Sequence, residues 1–201
     1  MPDSSELARP VRLRAVIVGI PGVGKTTIVG ALLKMIKGSR VANFGSEMTA
    51  EAKRLGWATE RDDLRKLPVE KQRRLQKLAA VRISKMREQV VLIDTHVFIR
   101  TPEGFWPGIP FDIAVALKPT HIVLLEATPD EVLARRLKDG TRRRDEARKA
   151  DIEADLALAR QFVAITSTVT GAPMLMLRND SGRSADAAGS VAKVLKEAMS
   201  R

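Results

Sequence analysis

The stretch RLRAVIVGIPGVGKTTIVGALLKMI, residues 12–36, holds the reading on which the rest depends. Its opening, RLRAVIV (12–18), is mostly apolar and rich in β-branched side chains, as a short buried strand requires. Glycines then crowd into GIPGVGKTT (19–27). Beyond Lys25, the residues Ile28, Leu32 and Ile36 recur at helical spacing, which predicts a helix over about 25–37, stopped by Gly38 and Ser39.

Strand, glycine-rich turn and helix in that order frame Gly19, Gly24, Lys25 and Thr26 in the spacing Gly-x-x-x-x-Gly-Lys-[Ser/Thr] of a P-loop. Gly19, Gly22 and Gly24 let the backbone turn tightly and aim successive N–H groups at phosphate oxygens. The helix begins at the same place, so its positive end faces the anion. Gly19, Ile20, Pro21, Gly22, Val23, Gly24, Lys25, Thr26 and Thr27 are therefore expected to hold the phosphates of a nucleoside triphosphate. Lys25 reaches the β- and γ-phosphates, and the Thr26 hydroxyl is placed for Mg2+.

Outward from this segment, strands and helices alternate. Further strands are expected at 40–44, 90–93, 121–126 and 174–178. Helical patterns cover 46–87, punctuated by Gly56 and Pro68, and then 145–170 and 184–199. Leu75, Leu78, Arg82 and Met86 recur at helical spacing in the first of these. Thr128, Pro129 and Glu131 read as an N-cap, an N1 proline and a capping-box carboxylate, opening a helix that ends near Gly140. The stretch 100–110, with three prolines and two glycines, is expected to be irregular. The order predicts an α/β three-layer sandwich, a five-stranded parallel sheet flanked by helices. Residues 1–11 read as a flexible leader and 12–201 as a single domain.

The bulk numbers exclude more than they choose. There is no apolar run near the ~20 residues of a membrane-spanning helix, and the first residues, MPDSSELARP, hold no signal-peptide core. A cytoplasmic location is expected, and the lack of cysteine, which rules out disulfides and thiolate metal sites, agrees with it. A net charge of +11 suits an anionic partner, whether nucleotide or nucleic acid. An aromatic content of 3% argues against a base-stacking surface for single strands.

Asp94 ends the strand VVLID, where a carboxylate would support Mg2+ beside a P-loop. His96, nearby, reads more readily as structural. At this point GIPGVGKTT (19–27), RDDLRKLPVEKQRRLQ (61–76) and DTHVFIRTPEGFWPGIP (94–110) resemble the archaeal type of adenylate kinase, and KDGTRRRDE (138–146) resembles that family's short lid. The resemblance runs from about residue 12 to the C-terminus. It implies a P-loop nucleoside monophosphate kinase fold and Mg2+-dependent transfer of a phosphoryl group from ATP to AMP, giving two ADP. It also implies a homotrimer, an acceptor site on the helices of 46–87, and a lid at 138–146.

Phosphoryl transfer needs positioning and positive charge more than covalent help. Six arginines fall within 135–148. Of these, Arg142 and Arg144 are assigned to the lid, with Arg135 in support, and Lys25 completes the catalytic set. Arg61, Arg65, Gln76 and Arg100 are the acceptor-side candidates, with Gln72 sharing the Gln76 face. Guanidinium groups grip phosphate in two-point fashion, and a glutamine amide can read a purine edge. Where the family often has an acid directly behind Tyr/Phe-Gly, this chain has Phe44-Gly45-Ser46-Glu47. Lys138 stands where the family often has Arg. Other readings stay open: a monophosphate kinase of different base preference, or an RNA-binding P-loop ATPase. A GTPase lacks its Asn-Lys-x-Asp motif here.

Overall fold

Leu13–Val18 forms strand β1, with every residue buried. A strand buried on both faces belongs in the middle of a helix-covered parallel sheet. The computed structural model describes residues 12–101, 104–138 and 148–200, without the side chains of Asp62, Arg65 and Thr101. Around β1 lie β2 (Ser39–Asn43), β3 (Val90–Asp94), β6 (His121–Glu126) and β7 (Met174–Arg178), in the spatial order β2-β3-β1-β6-β7. All four pairings are parallel. The expected five-stranded parallel sheet is thus the observed one.

The helices are α1 (Lys25–Met35), α2 (Phe44–Arg54), α3 (Val69–Ser84), α4 (Phe111–Leu117), α5 (Pro129–Lys138), α6 (Lys149–Thr170) and α7 (Ser184–Met199). Ile28, Leu32 and Ile36, spaced as expected, are buried in the main core with Ile17, Leu92, Ile93 and Leu124. A second, smaller core of Ala52, Ala58, Leu64 and Leu75 holds α2, α3 and a 3₁₀ helix at Arg61–Lys66 together.

Four local expectations are corrected. The stretch 100–110 is largely regular: β4 (Phe98–Thr101) and β5 (Gly104–Pro107) form an antiparallel hairpin, and α4 follows. Gly108 explains the tight return. A Cβ there would collide with the His96 carbonyl, while its own N–H donates to Val97 O at 2.8 Å. Strand β2 ends one residue earlier than expected, because Asn43 caps α2 by accepting from the Ser46 N–H at 3.1 Å. The buried stripe of α3 is Leu75, Ala79, Ala80 and Ile83, whereas Arg82 points outward to Glu47 and Glu51.

The start of α5 is the fourth. Thr128 does cap the Glu131 N–H, at 3.3 Å. The Glu131 carboxylate instead accepts from the Ser181 N–H at 2.6 Å, and Asp180 takes the Thr128 N–H at 3.3 Å. The helix start and the loop after β7 are thereby tied together, Asp180 accepting from Thr128 and Glu131 accepting from Ser181.

Candidate nucleotide site

The strand order reverses about β1, so the crevice beyond its C-terminal end is where an open α/β sheet binds ligands. The loop 19–24 occupies that place. Gly22 and Gly24 have φ of 97° and 87°, a region that favours glycine, and α1 starts at Lys25. The Lys25 ammonium donates to Gly19 O at 2.9 Å, folded back across the mouth of the loop. Thr26 and Thr27 are exposed on the first turn of α1.

Asp94 is level with Ile17 of β1 and Asn43 of β2, which puts its carboxylate at the sheet edge beside the loop. Asn43 Nδ2 donates to its Oδ2 at 2.9 Å and fixes its orientation. Thr26 and Asp94 supply hard oxygen donors that fit Mg2+ held together with phosphate oxygens and water. Among the described residues no group of three or more His, Cys, Asp and Glu side chains offers a protein-only metal cage.

Two arginines of α5 lie over the loop. Arg135 donates to Gly22 O at 3.4 Å and to Asn179 O at 2.8 Å. Arg136 donates through Nε to Pro21 O at 2.9 Å and approaches Asp155 at 4.0 Å. Arg135, expected in support of the lid arginines, thus lies against the phosphate loop. Arg136 was not singled out in the sequence, since nothing local separates it from its neighbours. Arg142 and Arg144, and most of the lid segment 138–146, lie outside the described residues.

On the acceptor side the guanidinium of Arg61 packs against the backbone of Gly45, at the start of α2 and next to the end of β2. The Arg65 side chain lies outside the described part, and its segment is 3₁₀, in which i and i+3 align rather than i and i+4. Gln76 is half-buried on α3. Gln72 is used structurally, donating to Leu67 O at 2.8 Å. Arg100 on β4 stacks over Phe105 at 4.7 Å and donates to Asp155 of α6 at 2.5 Å. Asp155 is buried and faces both Arg100 and Arg136. Glu47 does not enter the site: it pairs with Arg82 at 3.0 Å.

Electrostatics at the rim follow the same pattern. Burial pushes the Asp180 carboxyl up, but the Arg178 guanidinium and the Thr128 N–H outweigh it and hold it below the ordinary value. Glu126, at the end of β6, accepts two bonds from Arg160, at 2.7 and 3.2 Å, which raises the arginine pKa further. A cavity of about 740 Å³ lies elsewhere, lined by Lys53, Trp57, Glu60, Asp63, Lys66 and Leu67 and touching no residue of the loop. The chemistry points to the loop rather than to that cavity.

Comparisons with known proteins identify the family. A family profile described as an AAA domain matches residues 18–153. The adenylate kinase of Methanopyrus kandleri is 42% identical over 171 residues, covering 84% of this chain and 90% of that protein. The adenylate kinase of Methanocaldococcus jannaschii is 41% identical over 169 residues, covering 82% and 88%. Among solved structures, the shikimate kinase of Acinetobacter baumannii superimposes with a TM-score of 0.59 over 94% of this chain and 96% of that one. At 17% identity that likeness shows a shared fold alone. With a P-loop at the C-terminal end of β1 and with relatives this similar over most of its length, the chain belongs to the adenylate kinase family of phosphotransferases.

Proposed function

We propose that the chain transfers the terminal phosphoryl group of Mg2+-ATP to AMP, reversibly, giving two ADP. The observation that carries the reading is the P-loop on β1, with Lys25 at its mouth and Asp94 beside it. Loop N–H groups and Lys25 bind the triphosphate. Thr26 and Asp94 hold Mg2+, which when bound neutralises and orients the phosphates. Arg61 and Arg100 receive the acceptor phosphate, Gln76 reads its base, and Arg65 assists. Arg135 lends positive charge above the loop, and Arg142 and Arg144 close over the transferring group and exclude water. For Arg100 this means exchanging the Asp155 carboxylate for a phosphate, two anions of similar demand on a guanidinium.

AMP as the acceptor, a homotrimeric assembly and a cytoplasmic setting, all expected from the sequence, are part of the same proposal. Exposed Phe111, Val115 and Ile165 on α4 and α6 support burial against another copy. No helix among the described residues is long and apolar enough to cross a membrane.

The test is a panel. The protein is incubated with ATP, Mg2+ and each nucleoside monophosphate in turn, and both diphosphate products are quantified. Transfer to AMP well above the others is the expected result. Preference for another monophosphate would move the acceptor assignment. ATP hydrolysis without transfer would contradict the reading, and salt-sensitive RNA binding with hydrolysis would favour an RNA-linked ATPase.

A further inference from the structure

Asn179 follows β7 and is almost fully buried, at 2% exposure. Such a position is costly for an amide unless its donors and acceptors are paired. Its backbone N–H donates to Glu126 O at 2.7 Å, and its carbonyl accepts from Arg135 at 2.8 Å. Its side-chain Oδ1 accepts from Ser184 Oγ at 2.8 Å, at the first residue of α7. Its Nδ2 donates to Val23 O, in the P-loop, at 2.8 Å. Reversing the amide would set Oδ1 against Val23 O, two acceptors, so this orientation is the one the surroundings select.

The consequence lies in the next peptide. In a planar trans peptide the C=O and the following N–H point in opposite directions. Holding the Val23 carbonyl toward Asn179 therefore turns the Gly24 N–H away from it. Gly24 leaves no room between them: a Cβ there would clash with Asn179 Nδ2, and its φ of 87° already calls for glycine. Arg135 and Arg136 treat the preceding carbonyls, Gly22 O and Pro21 O, in the same way. Three successive loop carbonyls are thus each held by a donor from outside the loop.

We propose that Asn179 is a positioning residue for the donor nucleotide, fixing the Val23–Gly24 peptide so that its N–H is aimed at a phosphate oxygen before any ligand arrives. A preorganised donor costs no reorganisation on binding, which is where its benefit arises. The proposal rests on the donor-nucleotide reading of the loop, and it assigns to the β7–α7 connection a part in phosphate binding that needs no contact with the nucleotide.

Two variants of similar size separate the effects. Asn179→Leu removes the donor without adding charge. Asn179→Asp keeps the acceptor for Ser184 and replaces the donor with an oxygen. Affinity for a non-hydrolysable ATP analogue with Mg2+, affinity for AMP, and the backbone amide resonance of Gly24 in the unliganded protein are measured in wild type and both variants. Wild-type binding of the analogue checks the donor reading by itself, and its absence would sink that reading. The expected result is about 10- to 100-fold weaker analogue binding in both variants, AMP affinity within about twofold, and a displaced Gly24 resonance. Analogue affinity within twofold of wild type with an unmoved resonance would overturn the proposal. So would equal losses for the analogue and AMP, the mark of a merely structural role. Should neither variant fold, Ser184→Ala, which loosens the amide, is expected to weaken the analogue about 3- to 10-fold, and no change would overturn the proposal.

Discussion

Lys25 and Arg100, proposed to bind the donor and acceptor phosphates, each hold a partner within the chain. The ammonium of Lys25 lies on Gly19 O, and the guanidinium of Arg100 lies on Asp155. Removing the first, by Lys25→Met, is expected to lower kcat by about 10²- to 10³-fold, the loss typical of one electrostatic contact to a transition state. The unfolding transition should stay near wild type. Turnover within threefold of wild type would contradict the role. Arg100→Ala is expected to raise KM for AMP about 10- to 100-fold, as for a lost charge-assisted bond, with KM for ATP little changed. Equal changes in both would contradict an acceptor role. At this scale the sequence was legible where the chemistry is local. Gly19 to Thr27 constrain one another within nine residues, and the structure sets them as the spacing implied. Asn179, Arg136 and Asp155 were not legible, because each acts on a partner far along the chain, Val23, Pro21 and Arg100. For Asn179 the available signal was a polar residue directly after a strand ending at the ligand-binding edge of the sheet.

Elements were legible where periodicity is long and misread where proline and glycine crowd. The five strands of the main sheet, with α1, α2, α3, α6 and α7, were legible in the residue pattern; α5 was read from its capping residues, and α4 was not read. The hairpin β4–β5 was hidden because Gly104 and Pro107, read as breakers, belong to β5 and Gly108 serves a close approach to His96. Gly108→Ala is accordingly expected to destabilise the protein by about 1–3 kcal/mol through steric overlap, and an unchanged urea midpoint would contradict that. Strand β6 carries a pH dependence. Burial lowers the folded-state pKa of His121, so the unfolded chain takes up its proton more readily. Its contribution to stability is full above the ordinary unfolded value of about 6.5 and is lost as pH falls through the lower folded value. The thermal midpoint should fall on acidification below that point, and His121→Gln should remove that part of the slope. An identical slope in the variant would rule His121 out as its source.

For the whole molecule, charge is distributed unevenly. Residues 53–87 contain twelve Lys and Arg against four Asp and Glu, a large share of the chain's +11. Such a field raises the encounter rate of anionic nucleotides and is screened by salt. The association rate for AMP is expected to fall several-fold between low and physiological ionic strength, and a flat dependence in stopped-flow would contradict steering. The assembly claim is checked by sedimentation velocity: a homotrimer is expected, with Ile165→Glu shifting it toward monomer, and a monomeric wild type would refute it.

The central claim is reversible phosphoryl transfer between two adenine nucleotides, and it is tested most directly with ADP as the only nucleotide. In the presence of Mg2+, ³¹P NMR should show ATP and AMP appearing in equal amounts, without inorganic phosphate, until an equilibrium is reached. Inorganic phosphate in place of ATP, or no reaction by a folded protein that binds ADP, would contradict it.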